Sequence, residues 1–162
     1  MHRYTYLKMR PIGVIRTRFT EQEGTPIQGC MAQDEIATIE VHEEFMEGLA
    51  GLEGFSHLWL LYCFNQARGW SPKVKPYLDT VEHGIFATRS PCRPNPIGMT
   101  CVRLLRAEGK FLTVAGADML DGTPLLDIKP CVPAFDHHPV ETIGWFRGKL
   151  PEGKVLADRR FE

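Results

Sequence analysis

The chain of 162 residues has no apolar run long enough to cross a bilayer. Its longest, Leu58 to Phe64, is only strand-sized. The N-terminal MHRYTYLKMR has no apolar core of a secretory signal, so the reading places the protein in the cytoplasm, away from membranes. The five cysteines (Cys30, Cys63, Cys92, Cys101, Cys131) are odd in number and form no C-x-x-C pair. That pattern argues against a disulfide framework and against a zinc knuckle. No G-x-G-x-x-G turn opens a helix, which excludes a Rossmann-type cofactor site. Basic residues are absent from Glu21 to Ser56, a stretch with nine acidic ones.

What is present is an ordinary globular composition, 43% hydrophobic and 24% charged, in a chain the length of one domain. The formal charge of −1 hides a dipole. From Phe64 to Arg106 there are seven basic residues and only two acidic ones, Asp79 and Glu82. Such an asymmetry can steer an anionic partner to one face, or it can be two solvated faces in balance.

Turn signals recur about every ten residues, and the segments between them read as strands. Gly13 to Phe19 alternates apolar and basic residues, and Ala37, Ile39 and Val41 alternate with polar ones. His57 to Phe64 is apolar on both faces and is expected to be a fully buried strand. Met99 to Glu108 and Phe111 to Leu120 flank Gly109-Lys110, a hairpin signal. A further strand is expected over Pro124 to Lys129. One short helix is expected in HEEFMEGLAGL, where Phe45, Leu49 and Leu52 share a face. The pattern predicts a mainly all-β fold, a single-domain β-barrel spanning 1–162 with one or two short helices.

Three stretches could carry chemistry. In GIFATRSPCRPNPIG (84–98), prolines fix the backbone and push the preceding residues toward extended conformations. Arg89 and Arg93 then tend toward one side, two forks suited to a carboxylate or phosphate. Internal ion pairs anchoring the loop are the equally available alternative. In ADMLDGTPLLDIKP (117–130), Asp118 and Asp121 bracket a strand end, where they could face a cation or a ribose; an Asx-turn suits Asp121 taken alone. In LLYCFNQARGW, Asn65 and Gln66 pair donors with acceptors that could read a nucleobase or simply cap a strand. A metal-dependent hydrolase using Asp118, Asp121, His137 and His138 is disfavoured, because no ligand spacing is recognisable.

Together with PIGVIRT and LEGFSHLWLLYCF, these stretches resemble the TsaA-like (YaeB-like) family of S-adenosylmethionine-dependent tRNA methyltransferases, over roughly Pro11 to Asp136. The resemblance implies a non-Rossmann methyltransferase on a β-barrel and a homodimer with the cofactor near the subunit interface. It also implies N6-methylation of threonylcarbamoyl-adenosine beside the tRNA anticodon. No metal is expected, on the cysteine and histidine pattern and not on the resemblance. Cofactor contacts would fall on Gly29, Cys30 and Met31, on Asn65 and Gln66, on Arg89, on Met99, and on Asp118, Met119, Leu120 and Asp121. Arg89 would meet the cofactor's carboxylate, and Asp118 and Asp121 its sulfonium and ammonium. The resemblance names no catalytic base. Cys131 stands where the family has tyrosine in DIKPY, and Ile27 stands where arginine is common. The chain is read as a short form, ending where larger members continue into an extra C-terminal domain. Those departures sustain an alternative: a non-catalytic barrel that binds S-adenosylmethionine, a nucleotide or RNA.

Overall fold

Residues 6–161 are described by a computed structural model. Six antiparallel strands close into a barrel in the order β1 (Gly13–Arg16), β2 (Ile36–Val41), β7 (Phe111–Ala115), β6 (Ile97–Glu108), β3 (His57–Cys63) and β8 (Thr123–Pro130). A separate two-stranded ribbon pairs β4 (Lys73–Val74) with β5 (His83–Gly84). The only α-helix among the described residues is the single turn α1 (Pro133–Asp136).

Alternation sets the barrel's inside. Ile15, Ile39, Leu58, Leu60, Val102, Leu112, Val114 and Leu125 are wholly shielded from solvent and form the core. Each such side chain contributes roughly 1.5–3 kcal/mol relative to exposure. Two register shifts, between Leu61 and Tyr62 on β3 and between Leu104 and Arg106 on β6, supply extra residues that let the sheet curl shut.

Local differences from the sequence reading have physical causes. β3 is not buried on both faces; its residues alternate between buried and partly exposed, because the barrel interior takes only every second side chain. The segment with Phe45, Leu49 and Leu52 forms two 3₁₀ stretches, Glu43–Leu49 and Leu52–Gly54. Gly51, at φ 86° in the left-handed region, separates them. These three apolar residues nonetheless pack on the core. β7 stops at Ala115 instead of reaching Leu120, since Gly116 at φ 95° turns the chain away.

Candidate functional site

The Pro-Arg loop is braced from within. After β5 the chain makes one 3₁₀ turn, Ile85–Ala87, closed by the N–H and Oγ1 of Thr88 donating to the Ile85 carbonyl at 3.1 and 2.9 Å. The Arg93 guanidinium reinforces it, donating from Nη1 to the carbonyl oxygens of Ile85 (3.1 Å) and Thr88 (2.8 Å). Its carbon lies 5.8 Å from the centre of the Phe86 ring. Arg89 leaves the loop in another direction, donating from Nη1 to Gln28 Oε1 at 3.0 Å. The two arginines therefore do not share a side. Closely spaced prolines turn the loop through short bends, which breaks the two-residue period of an extended chain.

Arg89 stands at the edge of a cavity of about 700 Å³ on the outer face of the β3–β6 pair. That volume lies within the range of small-molecule sites. Its walls combine the turn Gln28, Gly29 and Cys30 with Trp59, Met99 and Arg103. The Trp59 indole N–H is buried with no hydrogen bond of good geometry. It faces the Asp136 carboxyl, which the backbone N–H of Val132 and then Trp59 hold below the ordinary carboxylate range. Burial and the neighbouring Cys131 thiol push Cys101 up to about 12, so at neutral pH this wall residue is an uncharged thiol.

Behind the Gly29 turn lies a chain of hydroxyls ending on a carboxylate. Thr100, on β6, points into the barrel, where Oγ1 donates to Asp118 Oδ1 at 2.8 Å. With that proton committed, the buried Tyr62 hydroxyl donates to Thr100 Oγ1 at 3.0 Å. Burial pushes the Asp118 carboxyl up to about 6, against the pull of Thr100, of backbone N–H groups including that of Gly29, and of the Arg89 charge. Burial, followed by the Asp118 charge, drives the Tyr62 hydroxyl far above its ordinary value, so it remains a proton donor. Gly29 lets the turn sit this close. A Cβ there would overlap the Thr100 methyl and the Gly116 carbonyl oxygen and would come to 3.7 Å from Asp118 Oδ2. The result is a desolvated carboxylate under one wall and a guanidinium on the rim, the two charges a zwitterionic or cationic small molecule requires.

Residues 14–137 match the family model for the tRNA-methyltransferase O N-terminal domain. The chain belongs to this family. It is 50% identical over 153 residues to a probable S-adenosyl-L-methionine-binding protein of Pyrococcus abyssi, covering 94% of this chain and 83% of that protein. A mouse tRNA (adenine(37)-N6)-methyltransferase is 38% identical over 137 residues, 80% of this chain but 32% of the mouse protein. The crystal structure of TrmO from Pseudomonas aeruginosa superposes with a TM-score of 0.76 at 38% identity, covering 93% of this chain and 65% of that one. The resemblance read from GIFATRSPCRPNPIG and its companion stretches thus holds, as does the barrel it implied.

Within this TrmO-family barrel the anticipated site residues fall into two groups. Gly29, Cys30, Arg89 and Met99 line the cavity, with Asp118 hydrogen-bonded to its Thr100 wall. The others lie apart from its lining. Met31 ends the 3₁₀ turn that begins at Gly29. Asn65 and Gln66 are exposed just past β3. Met119 is buried in the core, its carbonyl accepting from Thr17 Oγ1 at 3.0 Å, and the Leu120 carbonyl accepts from Thr123 Oγ1 at 2.7 Å. Asp121 turns toward β1, where Oδ1 accepts the Thr17 N–H at 3.1 Å and Oδ2 lies 4.0 Å from Arg16. That contact is structural, but it is a long-range brace to β1 and not the local Asx-turn expected for Asp121. Four residues had no functional reading in the sequence: Gln28, Trp59, Thr100 and Arg103. A signal existed for two of them. Met99, Cys101 and Arg103 alternate with Thr100 and Val102 on β6, so a polar Thr100 on the inward set calls for a buried partner. Among the described residues no group of three or more His, Cys, Asp or Glu is placed to hold a metal ion.

Proposed function

We propose that this barrel binds S-adenosyl-L-methionine in the Arg89–Asp118 cavity and methylates N6 of the modified adenosine beside the tRNA anticodon. The observation that carries the reading is the desolvated Asp118 carboxylate behind the Gly29 turn, close enough to feel the charge of Arg89, which lines a cavity of cofactor size and bonds Gln28 beside that turn. The fit is chemical. Arg89, and Arg103, which has no ion-pair partner among the described residues, suit a carboxylate, Asp118 suits a cationic centre, and Trp59 with Met99 gives apolar walls. When bound, the cofactor supplies an electrophilic methyl group. This chain's residues bind it, orient it and exclude water, and transfer depends on in-line proximity to the acceptor nitrogen.

The names of the relatives support both halves, S-adenosyl-L-methionine binding in Pyrococcus abyssi and adenine-37 N6 methylation in mouse. The threonylcarbamoyl group is the finer part of the proposal and rests on the family resemblance. A homodimer belongs to it as well. Ile36, Met99 and Leu105 are exposed apolar residues lining the cavity, and a second copy lying over them would close it.

The test is transfer. Purified protein is expected to bind S-adenosyl-L-methionine by calorimetry and to pass label from it to bulk tRNA, the product co-migrating with the N6-methylated threonylcarbamoyl nucleoside. Absence of cofactor binding would sink the reading; tight binding with no transfer to any tRNA would leave a non-catalytic binder.

A further inference from the structure

A second concavity, of about 630 Å³, shares the Pro-Arg loop with the Arg89 cavity, Cys92 lining this one and Arg89 the other. Its walls are the segment after β3, strand β4, the chain end around Asp158–Phe161, and Cys92. The floor is rigid and apolar: Val74, Ile85 and Phe161 are buried together, with Tyr77 and Cys92 packed against them. Ser71 N–H donates to the Cys92 carbonyl at 3.2 Å, which ties the wall to the loop.

Five cations line this groove against one carboxylate. Two of the five are committed. Arg160 is held by Asp158 (2.6 and 2.8 Å) and by the Pro76 carbonyl (2.7 Å), and Arg159 donates to Glu23 at 2.7 Å. The other three, Arg68, Lys73 and Lys75, are exposed and have no ion-pair or hydrogen-bond partner among the described residues. Beside them Trp70 is 60% exposed. Three uncompensated cations around an unburied aromatic ring carry a cost in self-repulsion and solvated apolar surface. Fold stability does not explain that cost.

Phosphates along a flexible strand, with a base available to stack, satisfy both features: cations take the backbone and the indole takes a base face. Cys92 and Arg89 are three residues apart in one loop, so the groove lies within about 10 Å of the cofactor cavity along the chain. We infer that the Arg68–Trp70–Lys73–Lys75 groove is the docking site for an RNA strand whose target base enters the Arg89–Asp118 cavity. This rests on the methyltransferase reading for the identity of the neighbouring cavity; the groove's charge and aromatic exposure stand independently of it.

The experiment uses the full chain and deacylated bulk tRNA, with Kd measured by fluorescence anisotropy at several salt concentrations and cofactor affinity measured by calorimetry. The double variant Lys73→Glu with Lys75→Glu is expected to weaken tRNA binding at least about tenfold. Its plot of log affinity against log salt should be shallower by about 1.5, the loss of two single-strand phosphate contacts. Trp70→Ala is expected to weaken binding about fivefold or more, with no change in salt slope. In all three variant positions the cofactor Kd should stay within about twofold of wild type, which also verifies the fold. Arg106→Glu, a charge reversal on the far end of β6, controls for net charge against the single variant Lys73→Glu, which carries the same change, and should weaken tRNA binding by much less than that variant. Wild-type tRNA affinity in the double variant, or a loss in the Arg106 control equal to that in Lys73→Glu, would overturn the groove. Competition by a mononucleotide with no binding of tRNA would also overturn it, in favour of a small phosphate ligand. The two readings fail separately. Wild-type protein that binds tRNA through this groove but transfers no methyl group removes the proposed reaction and keeps the docking site. Transfer that proceeds equally in the double variant removes the docking site and keeps the reaction.

Discussion

At the scale of single residues, the behaviour of the site turns on Asp118. Its folded pKa of about 6 lies above the 3.8 of an exposed aspartate because burial disfavours the charged form. The sign of the linkage follows. A carboxyl raised in the folded state favours folding below pH about 4, and that contribution is lost as pH rises through about 6. Near neutrality Asp118 is therefore an ionised, desolvated carboxylate, and the proposed cationic ligand would relieve that cost. Asp118→Asn is expected to leave the melting temperature unchanged or higher at pH 7.5. It should also weaken S-adenosyl-L-methionine by about 1.5–3 kcal/mol, the range for a hydrogen bond or pairing with a charged group. In the wild type, cofactor affinity should rise as pH passes upward through about 6, and in the variant that dependence should vanish; calorimetry across pH 5–8 checks both. A variant that unfolds, or that keeps the same pH profile, would place the carboxylate outside the binding site. Asp118 and Arg89 were legible in the sequence because charged residues beside prolines and glycines invite explanation. Thr100 was legible only as a polar residue on the inward set of β6, with no partner named, and Tyr62 was not legible at all, since a tyrosine inside HLWLLYCF reads as an ordinary strand former. Only the closing of β3 against β6, which sets Tyr62 opposite Gly98 and near Thr100, reveals the relay.

At the scale of elements, the Pro-Arg loop shows how one motif divides its work. An expectation built on extended geometry put both arginines on one face, and it failed because Ile85–Ala87 is a 3₁₀ turn whose carbonyls capture Arg93. The motif therefore divides into Arg89, which reaches the cavity and would be the binding arm under the proposed function, and a frame that Arg93 fastens. Trp145 fastens the same turn from outside, its Nε1–H donating to the Ala87 carbonyl at 2.7 Å while its ring stacks on His83. Arg93→Ala removes a charged donor from the Thr88 and Ile85 carbonyls, of which Ile85 keeps the N–H and Oγ1 of Thr88, and is expected to cost about 1–2 kcal/mol in urea unfolding. Cofactor affinity should fall as well, although Arg93 does not line the cavity, because Arg89 loses its support. Equal affinity in Arg93→Ala and wild type would show that the loop holds Arg89 by proline stiffness alone. Element identities on the barrel side were readable from alternation and turn residues. The limits of β1 and β7 were not, because the points where strands leave the barrel depend on glycine turns and on pairing with distant partners.

At the scale of the whole molecule, closure depends on joining segments far apart in sequence, and one buried carboxylate does much of that joining. Glu35 is 6% exposed and sits just before β2. Arg18, beyond β1, donates to it twice, each at 2.7 Å, and Lys154, near the chain end, donates at 2.5 Å. Its carbonyl also accepts the N–H of Gly116 where β7 ends, at 3.0 Å. The Arg18 hydrogen bonds, then that of Lys154, hold the Glu35 carboxyl down at about 2. A depressed pKa contributes stability that is fully present above the unfolded value, near 4.5, and is lost as pH falls toward 2. Acid should therefore loosen the barrel at the junction of β1, β2 and the C-terminal segment, with stability falling between pH 5 and 2. Glu35→Gln removes the charge while keeping the shape. Arg18 is largely exposed and recovers hydration when unpaired, so the loss at pH 7 is expected to be modest, on the order of 1–2 kcal/mol. The variant's melting temperature should also depend less on pH across that window than the wild type's, a difference that thermal scans at half-unit intervals would resolve. Parallel curves for the two proteins would mean that other carboxylates, such as Asp79 with Lys149 and His83, govern acid stability instead. Because Glu35 and Asp118 shift in opposite directions, the two pH responses separate. Under the proposed function, acid is expected first to weaken cofactor binding as Asp118 takes up its proton near pH 6, with the barrel yielding only at lower pH.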